Sequence, residues 1–220
     1  MARKKRVWYP GATYHVMSRG NRRSAIFADG SDYLWFLEYI LKIKEKYPFK
    51  LHSICLMTNH FHAAIETQEV ELWRIMQKIL SMYAEEYNHK YHYTGHLFEG
   101  RYVAQLMEDE RYFMEVSRYI HLNPVKAQMV REPLAYEYSS YGLFVGDGAE
   151  YKDKDGYRSG MSARIFETIR ELVETERVLK CFRNNPREQY RVFVEGKLSH
   201  SEQEMLIQKD MKEDDMWLPW

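Results

Sequence analysis

The sequence predicts an α+β fold, with an antiparallel sheet that carries helices on one face and a helical appendage at the C-terminal end. Short runs rich in β-branched and aromatic residues alternate with longer amphipathic runs over residues 13–123, which indicates strands and helices within one domain. Hydrophobic residues make up 45% of the 220 residues, enough for a substantial core. Disorder is therefore not expected over most of the chain.

The first predicted strand covers residues 13–18 and ends at the turn signal Arg19-Gly20-Asn21. Ser31-Asp32 can cap the helix that follows, whose apolar residues recur at helical spacing until Pro48 ends it. Because this helix lies between two predicted strands, we expect it to cross over the sheet.

Two β-rich runs, residues 49–57 and 61–67, flank Thr58-Asn59-His60, and this pattern predicts a hairpin. An amphipathic helix is predicted over residues 70–89 and a last strand over residues 97–107. The order strand, helix, strand, strand, helix, strand is that of the ferredoxin-like fold, whose helices pack on one face of the sheet. The other face is then free for a substrate.

A further helix is predicted over residues 109–123, with Pro124 as its end. Farther along the chain a Gly-rich, charged stretch indicates a flexible connection, and two more helical runs follow it. We therefore expect a domain boundary near residue 150. Residues 1–149 would form the main domain, and residues 150–220 a helical extension with an acidic tail.

Charge gives no argument for nucleic acid at the level of the whole chain, since 32 Lys and Arg residues balance 32 Asp and Glu residues. The first 28 residues, however, carry basic side chains and no Asp or Glu, so this end of the chain is suited to anions. These basic residues are Arg3, Lys4, Lys5, Arg6, Arg19, Arg22 and Arg23.

Cysteine usage predicts a reducing compartment. Cys55 and Cys181 lie far apart in apolar surroundings, which indicates reduced thiols and a cytoplasmic protein. The basic start of the chain is not followed by the apolar region of a signal peptide, and no run approaches the roughly 20 apolar residues of a membrane span. We therefore expect neither secretion nor membrane insertion.

The histidine pair His60 and His62 predicts a metal site. Residues i and i+2 of a strand point to the same side, so both imidazoles can be presented together while Phe61 turns into the core. The alternative is that one or both histidines face solvent or satisfy hydrogen bonds. Their position at the mouth of a hairpin, on a sheet with one uncovered face, favours the metal site.

Tyr119 and Asn123 are four residues apart on a predicted helix and would share one face of it. The amide oxygen of Asn123 could join the two imidazoles around a hard cation and leave other positions open to water or phosphate. This holds only if the helix reaches its final turn, because a residue before proline is biased away from helix. Spacing alone does not single out Tyr119 among the 18 tyrosines.

Five segments together resemble the REP-associated tyrosine transposases, within the single-tyrosine HUH (IS200-like) transposase family. They are residues 15–21 (HVMSRGN), 56–62 (LMTNHFH), 94–102 (TGHLFEGRY), 118–127 (RYIHLNPVKA) and 138–141 (YSSY). In this order they are highly specific. One departure is Thr58, where the family commonly has proline before the Asn-His-x-His run, and it bears only on the shape of the loop.

The resemblance implies a DNA transposase that cleaves single-stranded DNA through a tyrosine, leaving a 5′-phosphotyrosine link and a free 3′-hydroxyl. By the family pattern Tyr119 is the catalytic nucleophile, and His60, His62 and Asn123 hold a divalent metal, Mg²⁺ or Mn²⁺. The expected partner is single-stranded DNA that forms hairpins. The oligomeric state stays open, although REP-associated members favour a site completed within one chain.

Four arginines are candidates for contacts with DNA phosphates, and four aromatic residues could stack on unpaired bases. The arginines are Arg19, Arg22, Arg23 and Arg101; the aromatic residues are Tyr91, Tyr93, Phe98 and Tyr102. His96 and His121 are interpreted as structural.

Two other functions remain open from the sequence. Split βαβ sheets also bind single strands through aromatic side chains, so the chain could be a non-catalytic nucleic-acid-binding module. His60 and His62 could instead serve a zinc hydrolase, although no nearby carboxylate has convincing spacing for a third ligand or a base.

Overall fold

The computed structural model describes residues 7–146 and 160–196. The expected domain boundary near residue 150, the basic residues 3–6 and the acidic tail lie outside these ranges. The strands are β1 (Thr13–Arg19), β2 (Phe49–Met57), β3 (His60–Thr67) and β4 (Val103–Leu106). The helices are α1 (Gly30–Lys46), α2 (Leu72–Tyr91), α3 (Glu110–Lys126), α4 (Tyr141–Val145), α5 (Gly160–Leu172), α6 (Glu176–Leu179) and α7 (Pro186–Glu195).

The four strands form one antiparallel sheet in the order β2-β3-β1-β4, with β1 and β3 in the centre. This order and the βαββαβ sequence of elements confirm the predicted ferredoxin-like α+β fold. Helix α1 ends at Lys46, and β2 forms because residues of high strand propensity follow directly after Pro48. The Thr58-Asn59 turn then returns the chain as β3.

The first face of the sheet is covered by α1 and α2, as the sequence predicts. Phe61 points to this face, and its ring lies 4.9 Å from that of Phe36 on α1, which in turn contacts Tyr83 on α2. The expectation that the second face is free was wrong in part. There α3 packs on β2 and β3, because its buried stripe of Phe113, Val116 and Ile120 needs a partner surface.

Three local predictions were wrong at their boundaries. The strand predicted over residues 97–107 reduces to β4, because Leu97 and Phe98 cross to Gly20 and make only an isolated bridge. Helix α3 continues past Pro124 to Lys126, since a proline in the last turn removes only one helical hydrogen bond. Helix α1 is capped by Asp29 in a capping box with Asp32, rather than by Ser31-Asp32.

The described helices of the C-terminal part pack directly on the rest of the molecule. Helix α5 lies along α1, and α7 lies against α3 and α4. Between them the chain runs past the edge of β2, where the Glu174 N–H donates to the Leu51 carbonyl at 2.8 Å. Their buried side chains belong to the same hydrophobic core as the sheet. Within the described ranges, no helix combines the length and apolar character needed to cross a membrane.

Candidate active site

The candidate site lies on the second face of the sheet, where α3 passes the start of β3. His60 and His62 are two residues apart on β3 and point to this face, opposite Arg19 and Met17 of β1. Their ring centroids are 5.0 Å apart. The Tyr119 ring on α3 stands edge-on to that of His62 at 5.3 Å. The fold therefore brings the predicted nucleophile against the predicted ligand pair.

His60 is held in one tautomer by the residue that precedes it. The Asn59 Nδ2 group donates to the Arg23 carbonyl at 3.1 Å, so Asn59 Oδ1 is the acceptor that lies 2.6 Å from His60 Nδ1. Nδ1 of His60 must then carry the proton, which leaves the lone pair of Nε2 for a ligand. Burial, and secondly the charge of Arg19, lower the pKa of His60 to about 4, so the ring is neutral at pH 7.

His62 is hydrogen-bonded to His15, a residue that the sequence analysis did not select as a site residue. His62 Nδ1 lies 3.0 Å from His15 Nε2, and both side chains are buried. Burial, and then the charges of His60, His15 and Lys126, lower the pKa of His62 well below its ordinary value. His15 lies four residues before Arg19 on β1, so the two side chains point to the same face of the sheet, and this spacing could have drawn attention to His15. Only the pairing of β1 with β3, however, brings His15 to His62.

Tyr119 is only 4% exposed, and its ring is in contact with a cation. The Lys126 ammonium lies 4.5 Å from the Tyr119 ring centroid, while the Lys126 residue as a whole is exposed. The two residues are seven apart, or two turns of α3, a spacing that could have drawn attention to Lys126. A cation at this distance is attracted electrostatically to the face of the ring.

Asn123 meets the condition set by the sequence, because α3 does reach its final turn beyond it. Its side chain is 8% exposed, and Nδ2 donates to the Tyr119 carbonyl at 3.0 Å. The amide oxygen Oδ1 is thus the atom left to face a cation.

The donor set fits a divalent metal. No cluster of three or more His, Cys, Asp or Glu side chains suited to a metal occurs among the described residues, so a third protein ligand would have to be of another type, such as an amide oxygen. Both imidazoles are neutral, as ligands must be. Each has its Nδ1 engaged by a neighbour, an arrangement common for metal-binding histidines.

The four candidate arginines differ in their surroundings. Arg19 is mostly buried and donates through Nε to Glu99 at 2.9 Å. Arg22, Arg23 and Arg101 are exposed. The loop that carries Arg22 and Arg23 and the segment that leads to Arg101 are joined by backbone bonds from Asn21 to Leu97 and from Glu99 to Arg19. These three exposed arginines therefore flank the His60 end of the site.

The interpretation of the four aromatic residues as stacking surfaces needs correction. Phe98 and Tyr102 are buried, because the segment before β4 folds back on the core. The Tyr91 hydroxyl donates to Asp32 at 2.8 Å. Only Tyr93 of the four, at 44% exposure, offers a ring to solvent.

Comparisons with known proteins agree with the fold and the motifs. The family model described as transposase, IS200-like, matches residues 9–123. A solved structure of a REP-associated tyrosine transposase bound to a REP hairpin is 18% identical, with a TM-score of 0.56, over 73% of this chain and 93% of that one. A candidate transposase of Deinococcus radiodurans is 16% identical, with a TM-score of 0.38, over 54% of this chain and 95% of that one.

No curated protein matches the chain in sequence. At 18% identity the first structural similarity shows the shared fold. The family model spans residues from the approach to β1 through Asn123, which is more than half of the chain, and it includes the histidine pair and Tyr119. On this evidence the chain belongs to the family of IS200-like transposases.

Proposed function

We propose that this transposase cleaves and rejoins single-stranded DNA, with Tyr119 as the nucleophile and with His60, His62 and Asn123 as the ligands of a divalent metal. The observation that carries the proposal is the contact of the Tyr119 ring both with His62 and with the Lys126 ammonium. A tyrosine that serves only in packing does not require a cation and a neutral imidazole in contact with its ring.

In the proposed reaction the Tyr119 oxygen loses its proton to solvent and attacks the scissile phosphorus. A bond forms between this oxygen and phosphorus, the bond to the 3′ oxygen breaks, and that oxygen leaves as a hydroxyl after taking up a proton. The product is a 5′-phosphotyrosine, and the 3′-hydroxyl of a second strand can reverse the attack. Bound Mg²⁺ or Mn²⁺ would supply neutralisation of charge on the non-bridging phosphate oxygens.

Other residues around the site would add positive charge, orient a ligand or contact the DNA. Lys126 would add positive charge beside the Tyr119 ring, where the phosphate arrives. His15 would hold the ring of His62 in place through the hydrogen bond between them. Arg22, Arg23 and Arg101 would contact phosphates along the strand, and the exposed Tyr93 ring could stack on a base.

We propose hairpin-forming DNA as the substrate and residues 1–149 as the catalytic domain. The similar structure of a REP-associated transposase holds a REP hairpin, which supports a hairpin substrate here. The extension of residues 150–220 would brace α3, since α7 lies against that helix. With the ligands and Tyr119 all contributed by one chain, the proposal favours a monomer.

A covalent-adduct assay tests the proposal. The protein is incubated with single-stranded DNA that bears a hairpin, with Mg²⁺ or Mn²⁺, and run on a denaturing gel. We expect a protein-DNA band that is lost in Tyr119→Phe, in His60→Ala and in chelator, and kept in Tyr93→Phe, which removes an exposed hydroxyl. Binding without a covalent band would favour a non-catalytic binding module. A covalent band in Tyr119→Phe would show that Tyr119 is not the nucleophile.

A further inference from the structure

Asn59 forms hydrogen bonds through its backbone carbonyl and through both polar atoms of its side chain, and these bonds connect two parts of the candidate site. Its carbonyl accepts from the Gly20 N–H at 2.8 Å, and its Nδ2 donates to the Arg23 carbonyl at 3.1 Å. Its Oδ1 accepts from His60 Nδ1 at 2.6 Å. One side chain therefore contacts both the histidine at the start of β3 and the loop that follows β1, residues 20–24, which we name the arginine loop.

The arginine loop has a backbone conformation that needs support. Arg22 and Arg23 both have left-handed φ angles, of 54° and 60°, which L side chains adopt at a cost in energy. Two short-range bonds close the loop, from the Arg23 N–H to Gly20 and from the Ser24 N–H to Asn21. The bond from Asn59 Nδ2 is an additional tie, and it comes from outside the loop.

The amide of Asn59 works only in one orientation. With Nδ2 turned to a carbonyl, Oδ1 is the atom that His60 meets, so the loop bond sets the polarity of the histidine bond. A shift of the Arg23 carbonyl would therefore alter the hydrogen bond that Asn59 makes to the His60 ring.

We propose that Asn59 is a positioning residue that couples the arginine loop to His60. The same amide fixes the His60 tautomer, with Nε2 turned outward as an acceptor, and holds the loop backbone that presents Arg22 and Arg23. In this role Asn59 acts through these two partners. The value of the coupling for cleavage rests on the function proposed above, whereas the two bonds can be tested without cleavage.

Two substitutions separate the two bonds. Asn59→Ala removes both the donor to Arg23 and the acceptor for His60. Asn59→Asp removes only the donor, because a carboxylate can still accept from His60 Nδ1. Asn88→Ala is a matched control: the Asn88 Nδ2 also donates to a loop carbonyl, that of Gly95, but within the described ranges no hydrogen bond joins the Asn88 side chain to a histidine ring.

The first readout is the tautomer of His60 in the full-length, metal-free protein at pH 8, from ¹⁵N spectra of histidine-labelled samples. We expect the Nδ1–H form in the wild type, in Asn59→Asp and in Asn88→Ala, and a majority of the Nε2–H form in Asn59→Ala. His121, bonded to Tyr190 and Ser140, serves as an internal control for folding in the same spectra. A wild-type spectrum with the Nε2–H form, or an unchanged tautomer in Asn59→Ala, would overturn the proposal.

The second readout is affinity in EDTA for a fluorescent single-stranded hairpin oligonucleotide. We expect Asn59→Ala to bind about threefold to tenfold more weakly, because the arginine loop loses its tie. Wild-type affinity in Asn59→Ala would disprove the coupling even if the tautomer had changed. If the wild type forms no covalent adduct while both readouts follow expectation, the proposed cleavage fails and the positioning role of Asn59 stands.

Discussion

The charges around Tyr119 illustrate how single residues define this site. His15 and His62 are hydrogen-bonded to each other, burial keeps His60 and His62 neutral, and the ammonium of Lys126 brings a positive charge to the phenol ring. The substrate phosphate would add negative charge at the same point. The rate of attack should then depend on Lys126 more than its exposed position suggests.

Replacing Lys126 by Met keeps the length of the side chain and removes its charge. We expect Lys126→Met to form the covalent adduct about tenfold more slowly, a loss of ~1.4 kcal/mol in the barrier, and Lys126→Arg to stay near wild type. Single-turnover adduct formation measures both, and Lys78→Met, an exposed lysine on α2, is the control. Equal rates for the wild type and Lys126→Met would show that the ring contact has no catalytic role.

Among the elements, the arginine loop has the strictest steric requirement. A Cβ at Gly20 would lie 2.0 Å from the Ser24 carbonyl oxygen, a distance that no side chain can adopt without moving the loop. The loop is backed by the Thr58-Asn59 turn, whose Thr58 carbonyl accepts from the Ile26 N–H at 2.9 Å. Glycine is therefore needed here for close backbone approach rather than for its φ angle.

Gly20→Ala should lower the free energy of unfolding by about 2 kcal/mol or more, because the loop must shift away from Ser24. Gly100→Ala is the matched control, since a Cβ there meets nothing within 4 Å. The control should change stability by less than about 0.5 kcal/mol. Urea unfolding followed by circular dichroism compares the two variants, and similar midpoints would contradict the steric argument.

Helix α3 is held from behind by α7. The Tyr190 hydroxyl is fully buried and lies 2.7 Å from both Ser117 Oγ and His121 Nδ1 on α3. His121 Nε2 continues the network to Ser140 Oγ at 2.8 Å. This network lies on the side of α3 opposite Tyr119, so the extension helps to fix the helix that carries the proposed nucleophile.

Tyr190→Phe should cost about 1–3 kcal/mol of stability, because it removes the buried hydrogen-bonding partner of Ser117 and His121. Tyr93→Phe deletes an exposed hydroxyl and should change little. Thermal unfolding of the two variants makes the comparison. An unchanged midpoint in Tyr190→Phe would mean that α7 packs on α3 without need of this network.

At the scale of the whole molecule, buried neutral histidines should make the protein sensitive to acid. Burial lowers the pKa of His121 to about 3 and that of His60 to about 4, and burial also lowers the pKa of His52. In the unfolded chain these groups take up protons near pH 6.5, whereas the folded protein resists this uptake. Their contribution is fully present above pH 6.5 and is lost progressively as the pH falls toward the folded pKa values.

We expect the unfolding temperature to fall steadily between pH 6.5 and pH 4. The unfolding temperature of His121→Gln should depend less steeply on pH over this range, because this variant takes up one proton fewer on unfolding. This expectation concerns the slope and does not depend on the stability of the variant at pH 7. Calorimetry at a series of pH values provides the slopes, and parallel curves for wild type and His121→Gln would refute the linkage.

The sequence by itself determined the order of elements, the bounds of β2 and the shared side of His60 and His62. These features depend on local periodicity and on turn residues such as Pro48, which act over a few residues of chain. The same reasoning failed at β4, where Phe98 makes only an isolated bridge to Gly20, and at Pro124, because a proline in the last turn removes only one hydrogen bond and does not end the helix. Tyr119 was selected by family resemblance, since many tyrosines share its spacing.

Only the tertiary structure decided which groups surround those residues. The contact of His15 with His62 depends on the pairing of β1 with β3, across 47 residues of sequence. The position of Tyr119 against His62 depends on α3 packing on the second face of the sheet, and the Asn59 bonds depend on how two loops meet. Periodicity specifies the direction of a side chain, but long-range packing selects its partners, and the proposed chemistry depends on those partners.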